Sequence, residues 1–164
     1  MEIHRVPIQK LRRHEGYESY GATMAKTDYL LRDPGLIQPA AIEVVLETLP
    51  IIAIRQGRAW EYISGHRTFI VAASVLGVEA EVPIRVIKNP GAQRIRLYIA
   101  VDIMASSIIT GIARKSDLGE LLTELRRRDH TTHEKLFVAT TQKTFSAALS
   151  VTKETVFRGR KARR

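Results

Sequence analysis

Five consecutive residues carry the kinds of group with which proteins bind phosphate. They follow an apolar segment typical of a strand and precede one typical of a helix, and they are Ser64, Gly65, His66, Arg67 and Thr68. A glycine at such a junction lets an anion approach the backbone N–H groups at the positive end of a helix dipole, and an arginine adds a full charge. The spacing therefore predicts a phosphate-binding loop. The alternative is that His66 and Arg67 only cap the helix and order the loop.

A second candidate site lies near the C-terminus, where small and apolar residues have the spacing of a helix-turn-helix. With Gln142 as the first position, the motif requires a small fifth residue, a turn at the ninth and an apolar fifteenth, and the sequence has Ser146, Ser150 and Val156 there. A small fifth residue lets the two helices cross closely around an apolar wedge. The motif predicts a DNA-binding helix pair over 141–160. An ordinary amphipathic helix pair with a basic tail is the alternative.

The second helix of such a motif reads bases in the major groove of DNA. Thr152 is expected to cap that helix and to direct Lys153, Glu154 and Thr155 toward base edges. Gln142 is expected where the first helix meets the DNA backbone. The residues expected near phosphates are Arg158, Arg160 and Lys161.

The positive charge of the chain is concentrated toward its C-terminus. The formal net charge is +9 over 164 residues. Residues 1–90 hold 11 Lys and Arg against 10 Asp and Glu, whereas residues 91–164 hold 15 against 7. A polyanion is the natural partner for so basic a segment, because each cation placed on a phosphate releases condensed counterions. A solvated basic surface without a partner is the alternative.

The composition excludes several classes of site. The absence of cysteine excludes disulfides, thiolate metal sites and sulfur-based redox catalysis, and is typical of the reducing cytoplasm. The longest apolar stretch, Leu97 to Ala113, spans only 17 residues and contains Asp102, so it predicts a core helix rather than a membrane span. His130 and His133 lie three residues apart without a third visible ligand, so no metal site is predicted.

The hydrophobic pattern predicts an α+β fold, with a small mixed sheet and packed helices followed by an all-helical segment that contains the helix-turn-helix. A helix is expected to begin at Pro39 and end at Thr48, and another to lie between Gly65 and Gly77. The predicted strands are 2–6, 50–54, 59–63 and 82–88.

From residue 91 onward the hydrophobic period becomes helical. Spacings of three and four predict one apolar stripe on a long helix, formed by Leu97, Val101, Met104, Ile108 and Ile112. We therefore expect a nucleotide-binding type of α/β domain over 1–90 and a helical DNA-binding region over 91–164.

The order of these elements and motifs resembles the ParB/sulfiredoxin group. That group shows a strand, Gly-x-Arg-Arg, a helix, Leu-Gly and a Val-Pro strand. The matching residues here are Tyr62-Ile-Ser-Gly-His-Arg-Thr-Phe-Ile-Val-Ala-Ala73, Leu76-Gly77 and Val82-Pro-Ile-Arg-Val-Ile87. The resemblance covers roughly residues 2–88. The helical remainder is similar to the central domain of ParB, without a counterpart of its C-terminal dimerisation domain.

The resemblance implies a DNA-binding protein of a plasmid or chromosome partition system, or of transcription regulation. It implies that the loop at Gly65 to Arg67 holds a nucleoside triphosphate, CTP or ATP with Mg²⁺. In ParB proteins the second arginine of the motif contributes to phosphate binding, and Thr68 stands in that place here. Double-stranded DNA is the implied macromolecular partner, and a homodimer and a partner ATPase are left open.

Other branches of the group are enzymes. Sulfiredoxin carries a catalytic cysteine where this sequence has Gly65, so that activity is excluded. Free serine kinases carry a His-Glu pair whose carboxylate acts as a base, and Leu11-Arg-Arg-His-Glu15 is similar. Glu15 would accept a serine hydroxyl proton if it faced the loop. The alternatives to a DNA-binding protein are therefore a serine kinase or nuclease on this scaffold, or a plain interaction domain.

Overall fold

The computed structural model describes residues 1–21, 24, 31–105 and 142–149 of the chain. The strands are β1 (Glu2–Pro7), β2 (Leu11–Arg13), β3 (Ile51–Gln56), β4 (Ala59–Ser64) and β5 (Glu81–Val86). The α-helices are α1 (Pro39–Thr48), α2 (His66–Leu76), α3 (Ala92–Ala100) and α4 (Gln142–Ala148). Short 3-10 turns occupy Ile8–Lys10, Glu15–Tyr20 and Pro34–Leu36, and a π-helical turn occupies Val101–Ala105.

The described residues belong to two compact units. The first unit takes its residues from Met1–Thr27 and Ile42–Thr110, and it contains the whole sheet. The second takes its residues from Asp28–Ala41 and Gly111–Arg164.

The five strands form one mixed sheet in the order β1-β5-β3-β4-β2. Strand β1 runs antiparallel to β5, and β3 runs antiparallel to β4. The contacts of β3 with β5 and of β4 with β2 are parallel. This mixed sheet with its helices confirms the predicted α+β class, while most of the predicted helix-turn-helix lies outside the described residues.

The β3–β4 hairpin and β5 form the centre of the sheet, as the apolar pattern predicts. The hairpin turns at Gly57, whose φ of +59° lies in the left-handed region that glycine adopts without steric cost. The side chains of Val82, Ile84 and Val86 alternate with more exposed neighbours along β5, so one face of this strand is packed. The fully buried hairpin residues are Ile51, Ala53 and Ile63.

Strand β2 is absent from the sequence-based prediction. It spans only three residues, pairs with β4 through Leu11 opposite Trp60, and contributes Leu11 as its one buried side chain. A segment with a single inward side chain has no alternation to detect. Strand β1 also extends one residue beyond the prediction, to Pro7, because the missing N–H of proline is tolerated on this edge strand.

Both helices predicted for the first half of the chain are confirmed. Helix α1 begins at Pro39, whose missing N–H is no loss in a first turn. Helix α2 begins after Gly65 and ends before Gly77, and both glycines have φ of +84°. Within the described ranges, no helix is long and apolar enough to cross a membrane.

The predicted buried stripe on the long C-terminal helix is wrong in the part that the structure describes. Leu97 is 63% exposed and Val101 is 45% exposed, whereas Ile99 is 1% exposed. Three and four residues beyond Ile99, the half-buried side chains are those of Asp102 and Ile103. The prediction ranked residues by hydrophobicity alone, so it could not identify a buried face that includes the Asp102 carboxylate. Residues 106–113 lie outside the described ranges.

In the second unit, helix α4 packs against the turn Pro34–Leu36. The carbonyl oxygen of Ala148 accepts hydrogen bonds from the backbone N–H groups of Arg32 at 2.7 Å and Asp33 at 3.2 Å. These contacts hold the end of α4 against the chain that enters the turn. The buried residues at this end of α4 are Phe145, Ser146, Ala148 and Leu149.

Candidate functional site

The predicted phosphate-binding loop lies where β4 ends and α2 begins. Strand β4 ends at Ser64, Gly65 takes a left-handed conformation with φ +84° and ψ 28°, and α2 starts at His66. The backbone N–H groups at a helix start have no partner within the helix, so they need an acceptor from elsewhere. The junction therefore presents donors that helix α2 does not satisfy itself, as the sequence predicts.

Glycine is required at position 65 for two separate reasons. Its positive φ is rarely adopted by residues with a side chain. A Cβ atom at this position would also lie 2.8 Å from the carbonyl oxygen of Pro50 and 2.9 Å from the Cα atom of Ile51. Because both neighbours are backbone atoms, they cannot turn away as a flexible side chain would.

The acceptor for these donors is the carboxylate of Asp102. Its Oδ1 atom accepts hydrogen bonds from the N–H of Gly65 at 2.8 Å and from the hydroxyl of Ser64 at 3.4 Å. Its Oδ2 atom accepts from the N–H of His66 at 3.0 Å and from the hydroxyl of Tyr17 at 2.7 Å. Four donors thus converge on one anionic group at the start of α2.

Aromatic side chains form a wall beside this contact. The Tyr62 hydroxyl and Nδ1 of His66 share a hydrogen bond of 3.0 Å. The ring of Tyr62 stacks on Phe69 with 4.7 Å between centroids, and the Tyr17 ring lies 5.5 Å from that of His66. Tyr17 and Tyr62 are buried and His66 is half-buried, so the wall shields one side of the carboxylate from water.

Burial sets the protonation states in this wall. It raises the pKa of the Tyr17 hydroxyl far above its usual value, and the Asp102 carboxylate adds to this effect. Burial also raises the pKa of Tyr62 to about 12. For His66, burial lowers the pKa; the Asp102 charge opposes this, while Arg13 and Arg67 reinforce it. At neutral pH the tyrosines are therefore protonated donors and the imidazole is neutral.

The structure brings together some of the predicted loop residues. Ser64, Gly65 and His66 all donate to Asp102, while Arg67 and Thr68 lie half-buried in the first turn of α2. Their role toward phosphate stays a prediction. In the sequence, Asp102 stands out only as the acid that interrupts an apolar stretch, and this isolated charge is the available signal for its role.

The proposed kinase base, Glu15, lies at the start of the 3-10 turn after β2, and its side chain is exposed. Its neighbour His14 is buried and accepts a hydrogen bond at Nδ1 from the N–H of Gly16 at 2.9 Å. The carboxylate that receives the donors of the loop is that of Asp102. The 3-10 turn contributes Tyr17 to the site, whose hydroxyl donates to Asp102. Tyr17 was not among the residues predicted from the sequence.

Of the predicted DNA-binding residues, the structure places only Gln142, at the start of α4. Ser146, the small fifth residue of the motif, is 3% exposed, and Phe145 and Leu149 are buried beside it. The second helix of the predicted motif lies outside the described residues, so the packing of the two helices stays a prediction. The predicted residues that lie outside the described ranges are Thr152, Lys153, Glu154, Thr155, Arg158, Arg160 and Lys161.

Replacing Gly65 by alanine is expected to destabilise the fold more than the same change at Gly57. Both glycines have positive φ, but a Cβ at Gly57 meets nothing within 4 Å, whereas one at Gly65 meets backbone. Gly57→Ala should cost about 1–2 kcal/mol for the left-handed backbone alone. Gly65→Ala should cost at least about 2 kcal/mol more, because the clash adds strain. Urea unfolding measures both variants, and equal losses would contradict the close packing at Gly65.

The lowered pKa of His66 predicts that stability falls as the pH drops below about 6.5, the ordinary histidine value. In this range the unfolded chain takes up a proton that the folded chain resists, so the free energy of unfolding decreases as the pH falls. His66→Gln should flatten the dependence between about pH 7.5 and 5.5. His4→Gln, at a β1 side chain that is 41% exposed, controls for loss of an imidazole. Thermal unfolding across this range is the measurement, and an unchanged slope in His66→Gln would contradict the assignment.

Comparison with solved structures relates this arrangement to a known fold. The chain is similar to the C-terminally truncated chromosome-partitioning protein ParB from Caulobacter crescentus complexed with CTP-γ-S, with a TM-score of 0.50 and 12% identity over 95% of this chain and 75% of that chain. The same protein complexed to the centromeric parS site gives a TM-score of 0.34 and 12% identity over 93% and 67% of the two chains. No protein-family model matches the sequence, and no curated protein matches it at a significant level. The chain therefore has a ParB-like fold.

Proposed function

We propose that this chain is a ParB-like DNA-binding protein whose hold on duplex DNA responds to a nucleotide bound at the loop from Ser64 to Thr68. The observation that carries the proposal is the convergence of the Gly65 and His66 N–H groups on one anionic group at a strand-to-helix junction. Such a junction is a general site for phosphate. The ParB-like fold provides the setting in which the junction occurs.

The donors of the loop suit the oxygens of a nucleoside triphosphate. Two backbone N–H groups and the Ser64 hydroxyl point at one place, and Arg67 follows in the first turn of α2. The ParB structure with a similar fold contains CTP-γ-S, which supports CTP over ATP as the first nucleotide to test. A phosphate would use these donors in place of the Asp102 carboxylate. Mg²⁺ would accompany the triphosphate.

The C-terminal part of the chain supports duplex DNA as the second ligand. Residues 91–164 carry 15 Lys and Arg against 7 Asp and Glu. Such an excess favours a polyanion through release of counterions. Helix α4 provides a buried small residue, Ser146, at the position where a helix-turn-helix requires one.

We extend the proposal to partition of a chromosome or plasmid, because the similar structure is that of a chromosome-partitioning protein. A homodimer and a partner ATPase belong to this proposal as the assembly in which the chain would act. Transcription regulation is the alternative role for the same two ligands.

Replacing Arg67 by alanine is expected to weaken CTP binding by about 1.5–3 kcal/mol, or about 10- to 150-fold, because one charge-assisted hydrogen bond is lost. Arg58→Ala is the matched control, since Arg58 is an exposed arginine in the β3–β4 turn. Isothermal titration calorimetry with CTP measures both variants. Unchanged affinity in a folded Arg67→Ala protein would remove Arg67 from the nucleotide site.

Deleting residues 157–164 is expected to weaken DNA binding and its dependence on salt. The deletion removes Arg158, Arg160, Lys161, Arg163 and Arg164. If three or four of these contact phosphate, the slope of log affinity against log salt should become shallower by about three units, at about 0.9 per contact. Fluorescence anisotropy over a salt series, with specific and scrambled duplexes and with CTP, ATP or no nucleotide, is the measurement.

Lys153→Ala and Thr155→Ala are the matched comparison for that deletion. They should change the preference between the two duplexes more than the salt slope, because contacts to base edges carry sequence information. An unaltered slope after deletion would contradict DNA binding by this segment. Serine-dependent turnover of ATP or ADP in the same preparations would favour the kinase alternative.

A further inference from the structure

The loop that is proposed to bind phosphate already holds an anion that belongs to the chain. The Asp102 carboxylate takes the N–H of Gly65 on one oxygen and the N–H of His66 on the other, at 2.8 and 3.0 Å. This is the pattern in which two oxygens of a phosphate would accept from the same pair of donors. The two oxygens of the Asp102 carboxylate therefore occupy the positions that two phosphate oxygens of a ligand would take.

The carboxylate and a phosphate cannot use this place together. Each N–H group has one proton, and at these short distances that proton is committed to Asp102. Two like charges about 4 Å apart also repel strongly in a partly buried setting. Binding of an anionic ligand to these N–H groups therefore requires that the Asp102 side chain leave them.

The segment that carries Asp102 differs from the elements around the loop. The α-helical pattern of α3 stops at Ala100, and Asp102 lies in the π-helical turn Val101–Ala105. π-helical turns are rare in proteins overall, and those that occur are often found at functional sites. Val101, the first residue of this turn, is 45% exposed. The hydroxyl of Tyr17 gives the carboxylate a further anchor at 2.7 Å, on a turn outside the loop.

We propose that Asp102 is a built-in competitor for the anion-binding loop, so that a nucleotide binds by displacing this carboxylate and thereby releases the turn Val101–Ala105 from Gly65 and His66. The inference rests on the proposed nucleotide site. Nucleotide binding and release of the turn are thermodynamically coupled. Nucleotide favours the released turn by a certain factor, and release of the turn raises nucleotide affinity by the same factor. In sequence, residue 105 precedes the part of the chain that carries most of the net positive charge.

The competition also selects among ligands. A ligand with a single phosphate gains little beyond the contacts that Asp102 already makes. A triphosphate can also take the Ser64 hydroxyl, which donates to Asp102 in the free loop, and it has further oxygens for Arg67, so it can offset the loss of the Asp102 contacts. We therefore expect affinity to fall steeply from CTP to CMP in the wild type, and less steeply once the carboxylate is removed.

The test is calorimetric titration of the full chain with CTP, with ATP and with CMP, for wild type and Asp102→Asn. The amide keeps the shape of the carboxylate but removes its charge, and its single oxygen can accept from only one of the Gly65 and His66 N–H groups, so it competes less well for the loop. CTP affinity is expected to rise about tenfold, because charge-assisted hydrogen bonds are roughly twice as strong as neutral ones. Asp33→Asn is the matched control, since Asp33 accepts a backbone N–H, that of Gly35, at 2.9 Å in the second unit.

A second variant keeps the test decisive if Asp102→Asn does not fold. Tyr17→Phe removes only the hydroxyl that donates to Oδ2 and is expected to raise CTP affinity several-fold. Amide NMR shifts provide an independent readout: CTP should move the resonances of Gly65, His66 and Ile103 together.

The outcomes separate the two levels of the proposal. A folded Asp102→Asn or Tyr17→Phe protein that binds CTP no tighter than wild type overturns the competitor role, and Asp102 is then only a cap for α2. Binding by the variant and none by the wild type supports it strongly. Binding of no nucleotide by either protein overturns the proposed nucleotide function, and this inference with it.

Discussion

The contact between Asp102 and the start of helix α2 is the interaction on which the described site depends. A half-buried carboxylate needs donors, and the first N–H groups of a helix need acceptors. Both needs are met when Gly65 and His66 donate to Asp102. Tyr17 joins the same carboxylate, so one charged group ties together a 3-10 turn, a strand-to-helix junction and a π-helical turn. A contact with so many partners fixes the loop and is also where a competing anion has the largest effect.

The sheet determines where this contact is made. Strand β4 lies beside β3, and Gly65 packs against the backbone of Pro50 and Ile51 where β3 begins. A side chain at position 65 would push the junction away from β3 and turn its N–H groups off their present direction. The packing of the junction against β3 therefore sets the direction of the N–H donors, and this packing is possible only with glycine at position 65. The loop is preorganised for an anion before any ligand arrives, which is the property required of a phosphate site.

The sequence predicts those parts of the fold that rest on local rules. The hairpin around Gly57 and helix α2 between two glycines follow from turn chemistry and hydrophobic period, and the structure confirms both. Strand β2 could not be predicted, because three residues with one buried side chain carry no period. The stripe predicted through α3 and the π-helical turn is wrong because the inward residues of the turn include Asp102, whose burial depends on donors 36 to 85 residues away in the chain. The loop itself was predictable; its partner was not, since only the fold brings the two together.

The central claim is that the N–H groups of Gly65 and His66 form an anion site that the chain fills with its own carboxylate until a nucleotide takes its place. A crystal structure of the protein with CTP-γ-S tests this claim most directly, because it locates the phosphate oxygens and the Asp102 side chain in one experiment. The account predicts phosphate oxygens within hydrogen-bond distance of both N–H groups and the Asp102 carboxylate moved away from them. A bound nucleotide elsewhere, with the hydrogen bonds from Gly65 and His66 to Asp102 intact, would contradict it.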